Sequence, residues 1–155
     1  MFGQLSHEAE VKVGASKAWD LYGTIKLALM VKEHLRDTFL QVDILEGDGG
    51  VGTVIKLVLA EGFSYKEKFT KVDQEHHVKE TEMIEGGLRD MGFSLYRVRL
   101  EVIGKEEEEL CVIKSTIEYE VPDDGSVDVS IISVKPFADI AEVAKKLLTT
   151  SAGTN

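Results

Sequence analysis

The sequence has few of the residues that would tie it to a disulfide framework, a membrane or a nucleic acid. Its 155 residues include one cysteine, two prolines and one tryptophan. No apolar run approaches the ~18 residues of a membrane-spanning helix. The lone Cys111 excludes an internal disulfide. Basic side chains number 18 against 28 acidic ones, and the net charge of −10 repels phosphate backbones and anionic lipid surfaces. We therefore expect neither a nucleic-acid nor a membrane partner.

The N-terminal segment also lacks a basic region followed by an apolar core, the pattern of a secretion signal. With a single cysteine, this absence predicts a cytoplasmic location. Hydrophobic residues make up 43% of the chain and charged residues 30%, which is typical of a folded globular protein. The sequence predicts a single domain over residues 1–155.

The pattern of apolar residues predicts an α+β fold. Apolar and polar residues alternate over 4–13, which predicts a first strand, and two short amphipathic helices separated near Gly23 follow it. Turn residues then separate six further predicted strands at 39–46, 53–60, 63–72, 76–84, 92–104 and 109–121. Apolar residues at helical spacing predict a final helix over 128–150, with a kink at Pro136, before a frayed end at 151–155. This order predicts helices on one side of a curved antiparallel sheet.

Two charged residues fall on the apolar face of the predicted strands. In the segment from Phe63 to Phe69 the odd positions are mostly aromatic, so the same alternation turns Glu67 inward. On the next strand, turning the odd positions inward buries Lys79, whereas the reverse choice buries two glutamates. A buried acid and base are costly in a packed core but useful in a catalytic cavity.

The hairpin between these strands predicts that the two charges meet. A three-residue turn, Asp73 to Glu75, keeps both odd sets on one face and sets Glu67 opposite Thr81 and Phe69 opposite Lys79. Glu67 and Lys79 are then diagonal neighbours. Two other readings stay open: an ion pair that reaches solvent at the rim of the sheet, and a slip in register that turns Lys79 outward.

Neither a nucleotide nor a metal site is predicted. The glycine-rich loop from Gly47 to Thr53 has no Gly-Lys-Ser/Thr motif and leads into a strand, which indicates a tight strand connection. The four histidines show no metal-ligand spacing.

Three segments together resemble the plant Bet v 1 superfamily, which includes the pathogenesis-related class-10 and major latex proteins. They are the glycine loop from Glu46 to Thr53, the strand segment from Tyr65 to Phe69, and the stretch from Met83 to Gly87. Within the superfamily the chain is most similar to the norcoclaurine synthase-like branch. The resemblance implies a helix-grip fold: a seven-stranded curved sheet around the C-terminal helix, enclosing a hydrophobic cavity and using no cofactor.

The resemblance also implies which residues carry the chemistry. The catalytic lysine, glutamate and tyrosine of the branch fall on Lys79, Glu67 and Tyr65, whereas a further aspartate of the branch is replaced here by Val98. The expected substrate-binding residues are Phe69, Met83, Tyr96, Val98, Phe137 and Ala141. Space for the cavity is expected beside the small residues Ala138, Ala141 and Ala144, where a packed core would hold larger groups.

Three functions are compatible with this site. The apolar Val98 favours a cofactor-free cyclase acting on a small apolar carbonyl substrate, such as a monoterpene dialdehyde or enol of the iridoid type. The alternatives are condensation of an arylethylamine with an aldehyde, as in norcoclaurine synthase, and a non-catalytic carrier of ligands such as cytokinins. The expected partner is a small apolar metabolite, and a weak homodimer or association with pathway enzymes stays open.

Overall fold

The computed structural model of the protein describes residues 1–106 and 109–153. Within these residues the chain forms seven strands, three α-helices and two short 3₁₀ turns. The strands are β1 (Phe2–Val11), β2 (Phe39–Glu46), β3 (Val54–Leu59), β4 (Ser64–Asp73), β5 (Val78–Gly86), β6 (Leu95–Gly104) and β7 (Cys111–Glu120). The helices are α1 (Ala15–Tyr22), α2 (Lys26–His34) and α3 (Lys135–Gly153), and the 3₁₀ turns are Gly87–Met91 and Val129–Ile131.

The seven strands form one antiparallel sheet in the order β1-β7-β6-β5-β4-β3-β2. Strands that follow each other in sequence are neighbours except for β1, which pairs with β7 along its whole length, from Phe2 opposite Glu120 to Val11 opposite Cys111. The helices pack on the inner face, where Trp19 of α1, Met30 of α2 and Ala144 of α3 share one apolar core with the sheet. The predicted α+β helix-grip fold is confirmed.

The final helix begins later than its apolar spacing predicts. Residues 129–131 form a 3₁₀ turn that is capped by the Asp128 carboxylate, which accepts a hydrogen bond from the Ser130 amide at 2.9 Å. Helix α3 then starts at Lys135, so Pro136 lies in its first turn. Backbone N–H groups in a first turn have no partner within the helix, so a proline, which lacks this group, removes no helical hydrogen bond there. The predicted kink is therefore wrong. The helix extends to Gly153, while residues 107, 108, 154 and 155 lie outside the described residues.

The β4–β5 hairpin differs from its predicted register. Asp73 pairs with Val78, so the turn contains residues 74–77 and not three residues. An even-numbered turn alone would send Lys79 to the opposite face from Glu67. An irregularity between Phe69 and Lys71 inserts one extra residue into β4 and reverses that change. The two departures cancel, and Lys79 faces inward as predicted.

Candidate active site

A cavity of about 330 Å³ lies between the inner face of the sheet, helices α1 and α2, and the first two turns of α3. Its walls are largely apolar, with Leu27 and Val31 on α2, Ile55 and Leu57 on β3, and Phe137 on α3. Six polar side chains of the strands also line it: Tyr65, Glu67, Lys79, Thr81, Tyr96 and Ser115. These strand side chains form a polar column, and the apolar wall comes from strands and helices together.

Lys79 and Glu67 both line the cavity, but the prediction that they are diagonal neighbours is wrong. Glu67 pairs with Met83 and Phe69 pairs with Thr81, whereas Lys79 lies opposite Val72. The Lys79 ammonium stands 4.6 Å from the centre of the Phe69 ring, a cation–π arrangement. Among the described ion pairs, none joins Lys79 to Glu67. The two charges therefore act on each other across the cavity wall and not as a contact ion pair.

Burial brings the pKa values of this acid and base close together. Loss of solvent raises the pKa of Glu67 to about 7, although the Lys79 charge and the Thr81 hydroxyl beside it act in the opposite direction. Lys79 is only 2% exposed. Its burial lowers its pKa to about 8, against the opposing effect of the Glu67 charge. Near neutral pH, both groups can therefore gain or lose a proton at little cost, which is the condition for general acid–base catalysis.

Two tyrosines complete the polar column. Burial raises the pKa of both Tyr65 and Tyr96 well above the usual range, and the Glu67 charge raises both further. Their hydroxyl groups stay protonated at neutral pH and can donate hydrogen bonds to a ligand. Tyr65 sits on β4 two residues from Glu67, and Tyr96 sits at the start of β6.

The cavity brings together eight of the nine predicted site residues. Lys79, Glu67, Tyr65, Phe69, Met83, Tyr96, Val98 and Phe137 all line it. Ala141 does not, because it is 1% exposed and turned into packed structure, and its neighbour Ile140 lines the cavity instead. Ala144 likewise packs in the core. The expectation of space beside the helix alanines is therefore wrong for these two positions, although the cavity itself is present.

Several lining residues were not among the predicted site residues. Tyr22, Leu27 and Val31 reach the cavity from α1 and α2, and their helical spacing predicts only a buried face. Thr81 lines the cavity too, and the strand alternation predicts that it faces inward. At the rim, Lys135 and Asp139 of α3 form an ion pair of 2.9 Å, which the i, i+4 spacing does signal.

Other kinds of site find no support in the part of the chain that the structure describes. No group of three or more His, Cys, Asp or Glu side chains there is arranged to hold a metal ion. None of the described helices is long and apolar enough to cross a membrane.

A curved antiparallel sheet that grips a long helix, and that holds an acid and a base against an internal cavity, defines a class of small-ligand proteins equipped for proton transfer. The chain belongs to the pathogenesis-related protein Bet v 1 family, whose sequence profile matches residues 1–144. Within that family it belongs to the norcoclaurine synthase-like branch and is an enzyme of that lyase-like type.

Two relatives and one solved structure illustrate the similarity. Norbelladine synthase of Narcissus pseudonarcissus is 42% identical over 141 residues, which are 88% of this chain and 86% of that protein. S-norcoclaurine synthase of Thalictrum flavum subsp. glaucum is 37% identical over 150 residues, which are 93% of this chain and 70% of that protein. The structure of norcoclaurine synthase from Thalictrum flavum in complex with dopamine and hydroxybenzaldehyde has a TM-score of 0.86 and 35% identity, and the match covers 97% of this chain and 88% of that one.

Proposed function

We propose that the protein condenses an arylethylamine with an aldehyde inside its cavity and promotes closure of a new ring, without a cofactor. The observation that carries this proposal is the inward-facing pair of Glu67 and Lys79, which burial tunes toward neutral pH within one small cavity. The names of the relatives and the two ligands of the Thalictrum structure support an amine and an aldehyde as the reactants.

The proposed reaction requires proton transfers and no redox step. The neutral amine adds to the aldehyde carbon, the carbonyl oxygen takes up a proton, and the nitrogen gives up one proton to the base. A second proton on the oxygen lets it leave as water and gives an iminium ion, and attack by an aromatic carbon forms the carbon–carbon bond of the new ring. The ring carbon then loses its proton to a base. One acid and one base in the same cavity can serve each of these steps in turn.

The positions of the side chains support distinct roles. Lys79 is protonated at neutral pH and donates a proton to the carbonyl oxygen. Glu67 accepts protons from the amine and, after ring closure, from the ring carbon. Tyr65 orients the substrate through its hydroxyl group. The apolar residues Phe69, Met83 and Phe137 pack against the hydrocarbon parts of both reactants.

A neutral terpenoid-like dialdehyde is the second candidate substrate, and we rank it below the amine. It is favoured by the apolar wall of β6, where Val98 and Leu100 are 5% and 6% exposed and face the cavity. On the sequence alone, the replacement of the branch's aspartate by Val98 favours this dialdehyde substrate. The named relatives favour the amine and aldehyde instead. The third candidate, a carrier that binds ligands without chemistry, gives no function to the shifted pKa values of Glu67 and Lys79.

Product analysis with matched variants tests the proposal. Wild type, Lys79→Met and Glu67→Gln are each incubated with dopamine plus 4-hydroxybenzaldehyde, and separately with a monoterpene dialdehyde, and the products are identified by chromatography and mass spectrometry. We expect the wild type to form the condensed amine product. Each variant should lose about 10²- to 10⁴-fold in kcat with a smaller change in KM, because general acid–base assistance is worth that much.

Lys71→Met is the matched control, since Lys71 is exposed and lies opposite Glu80 on the outer face of the same hairpin. It should retain wild-type turnover. Equal rates in wild type, Lys79→Met and Glu67→Gln would refute the acid–base proposal. Turnover of the dialdehyde alone would establish the second candidate instead.

A further inference from the structure

Thr81 is a buried hydroxyl in the cavity wall for which the proposed reaction has no role. It is 6% exposed, sits in the middle of β5 and lines the cavity. Its direct neighbours across both strand pairs are apolar: Phe69 on β4 and Val98 on β6. Both neighbours are themselves buried. The hydroxyl therefore has no polar cross-strand partner directly beside it.

The nearest polar group on the same face of β4 is Glu67. It lies two residues before Phe69, the partner of Thr81, and is thus the diagonal neighbour of Thr81 across the hairpin. Burial raises the pKa of Glu67, and the nearby Thr81 hydroxyl acts in the opposite direction and lowers it. A carboxylate in an apolar wall keeps a fixed orientation only if a donor holds one of its oxygens.

We propose that Thr81 is a positioning residue for Glu67: its hydroxyl donates a hydrogen bond to one carboxylate oxygen and leaves the other free to accept a proton from the substrate. The inference rests on the proposed function of Glu67 as the base. It assigns to β5 two functions on one face, since Lys79 supplies the acid and Thr81, two residues further on, holds the base.

Other ionisable groups also face Glu67, and the test leaves them unchanged. They are Lys79 from β5, Tyr65 from β4 itself and Tyr96 from β6. Across the cavity, the rim carries Glu61 and the paired Lys135 and Asp139. Substitutions of Thr81 alter none of these charges, so a change in the titration of Glu67 would not come from the loss of a neighbouring charge.

Two substitutions separate the hydroxyl from the shape of the side chain. Thr81→Val keeps the branched shape and removes the donor, whereas Thr81→Ser keeps the donor and removes a methyl group. Titration of the Glu67 side-chain carboxyl by ¹³C NMR, with Glu67→Gln used to assign the signal, gives the pKa in each protein. We expect Thr81→Val to raise the pKa of Glu67, because the donor favours the charged form. Thr81→Ser should leave it near the wild-type value.

The pH dependence of kcat/KM for the amine and aldehyde provides the kinetic counterpart. The acid limb should move to higher pH in Thr81→Val only. At pH 6 the rate should fall about tenfold or more, since a hydrogen bond to a charged group is worth at least that factor. KM should change less than kcat if the hydroxyl aligns the base and does not bind the substrate.

The two measurements distinguish failure of this inference from failure of the proposed function. An unchanged Glu67 titration in Thr81→Val overturns the inference, whether or not the wild type is active. An equal shift in Thr81→Ser and Thr81→Val also overturns it, because packing and not the hydroxyl would then be responsible. If the wild type forms no product but Thr81→Val alone raises the pKa of Glu67, the hydrogen bond stands and the proposed reaction is refuted.

Discussion

At the scale of single residues, the site combines charged groups with an environment that opposes their charge. Lys79 is 2% exposed, and its ammonium stands 4.6 Å from the centre of the Phe69 ring. Glu67 is half-buried because one side of it faces the cavity. Each charge partly offsets the cost of burying the other, and a substrate dipole placed between them would complete the pairing. Such an arrangement is costly for stability and is typical of sites that carry out chemistry.

The residue Val98 sets the polarity of the wall beside this pair, and Val98→Asp tests its effect. The new carboxylate would face the cavity directly opposite Thr81, where it can pair with the ammonium of an arylethylamine. We expect the KM for the amine to fall by about ten- to a hundredfold, the range of a hydrogen bond to a charged group, while the melting temperature falls because a charge enters a buried wall.

Val98→Asn is the matched control for this prediction, since it has nearly the same shape without the charge. It should share the loss of stability and show no gain in amine affinity. Should both variants bind the amine as the wild type does, the apolar wall would have no part in selecting between amine and neutral substrates.

At the scale of elements, the glycine turn after β5 fixes the position of Tyr65. Gly86 has φ +77°, and a Cβ atom there would lie 2.5 Å from the carbonyl oxygen of Ser64, the residue before Tyr65. Because a backbone atom cannot move aside as a side chain can, the two strands could not keep this spacing with any other residue. The close approach of Gly86 to β4 therefore holds Tyr65 against the cavity.

Gly86→Ala should accordingly reduce both stability and activity. We expect a loss of about 2–4 kcal/mol in the free energy of unfolding, from the left-handed backbone together with the clash, and a fall in kcat as Tyr65 shifts. Gly62→Ala is the matched control, because Gly62 has φ +99° and a Cβ atom there would meet nothing within 4 Å. It should cost only about 1 kcal/mol. Urea denaturation of both variants measures the difference, and equal losses would show that the contact with β4 is unimportant.

The turn between β4 and β5 is a second element that determines which side chains face the cavity. The Asp73 carboxylate accepts hydrogen bonds from the amides of Glu75 and His76 at 3.1 and 3.0 Å, and His77 follows with φ +56°. The His77 ring then stacks on Trp19 of α1, with the ring centres 5.1 Å apart. These contacts stabilise the four-residue turn that, together with the irregularity in β4, directs Lys79 inward.

At the scale of the whole molecule, burial of the Glu67 carboxyl group should make the free energy of unfolding depend on pH. The folded state binds the Glu67 proton more tightly than the unfolded chain does, since its pKa is about 7 against an ordinary value of 4.5. The contribution of this group is therefore fully present below pH 4.5 and is lost as the pH rises to about 7. Lys79 acts in the opposite sense between about 8 and 10.5, because its folded pKa is the lower one, and stability is regained as the pH rises through that range.

Glu67→Gln should remove the first of these effects. As the pH rises from 5 to 7, we expect the free energy of unfolding of the variant to increase by about 1–3 kcal/mol relative to that of the wild type. A value near the lower end is expected because Glu67 is only half-buried. Chemical denaturation at pH 5 and pH 7 measures the difference between the two proteins. A difference that is the same at both pH values would show that Glu67 has an ordinary pKa in the folded state.

The sequence by itself determined the kinds and order of the elements and the identity of the charged residues on the inner face. Alternation along a strand is a local property, so the positions of Glu67 and Tyr65 relative to Phe69 can be read from the chain alone. The glycine turns and the long apolar stripe of α3 are local signals of the same kind.

Only the tertiary structure decided which groups face one another. The register of β4 against β5 depends on one inserted residue and on a turn that α1 holds in place, and neither leaves a signal in the spacing of apolar residues. The start of α3 follows the 3₁₀ turn before it, and the docking of the helix on the sheet places Ile140 and not Ala141 at the cavity. Strand pairing and helix docking join residues that are distant in sequence, so the pairing of Thr81 with Phe69 and Val98 is a property of the folded chain alone.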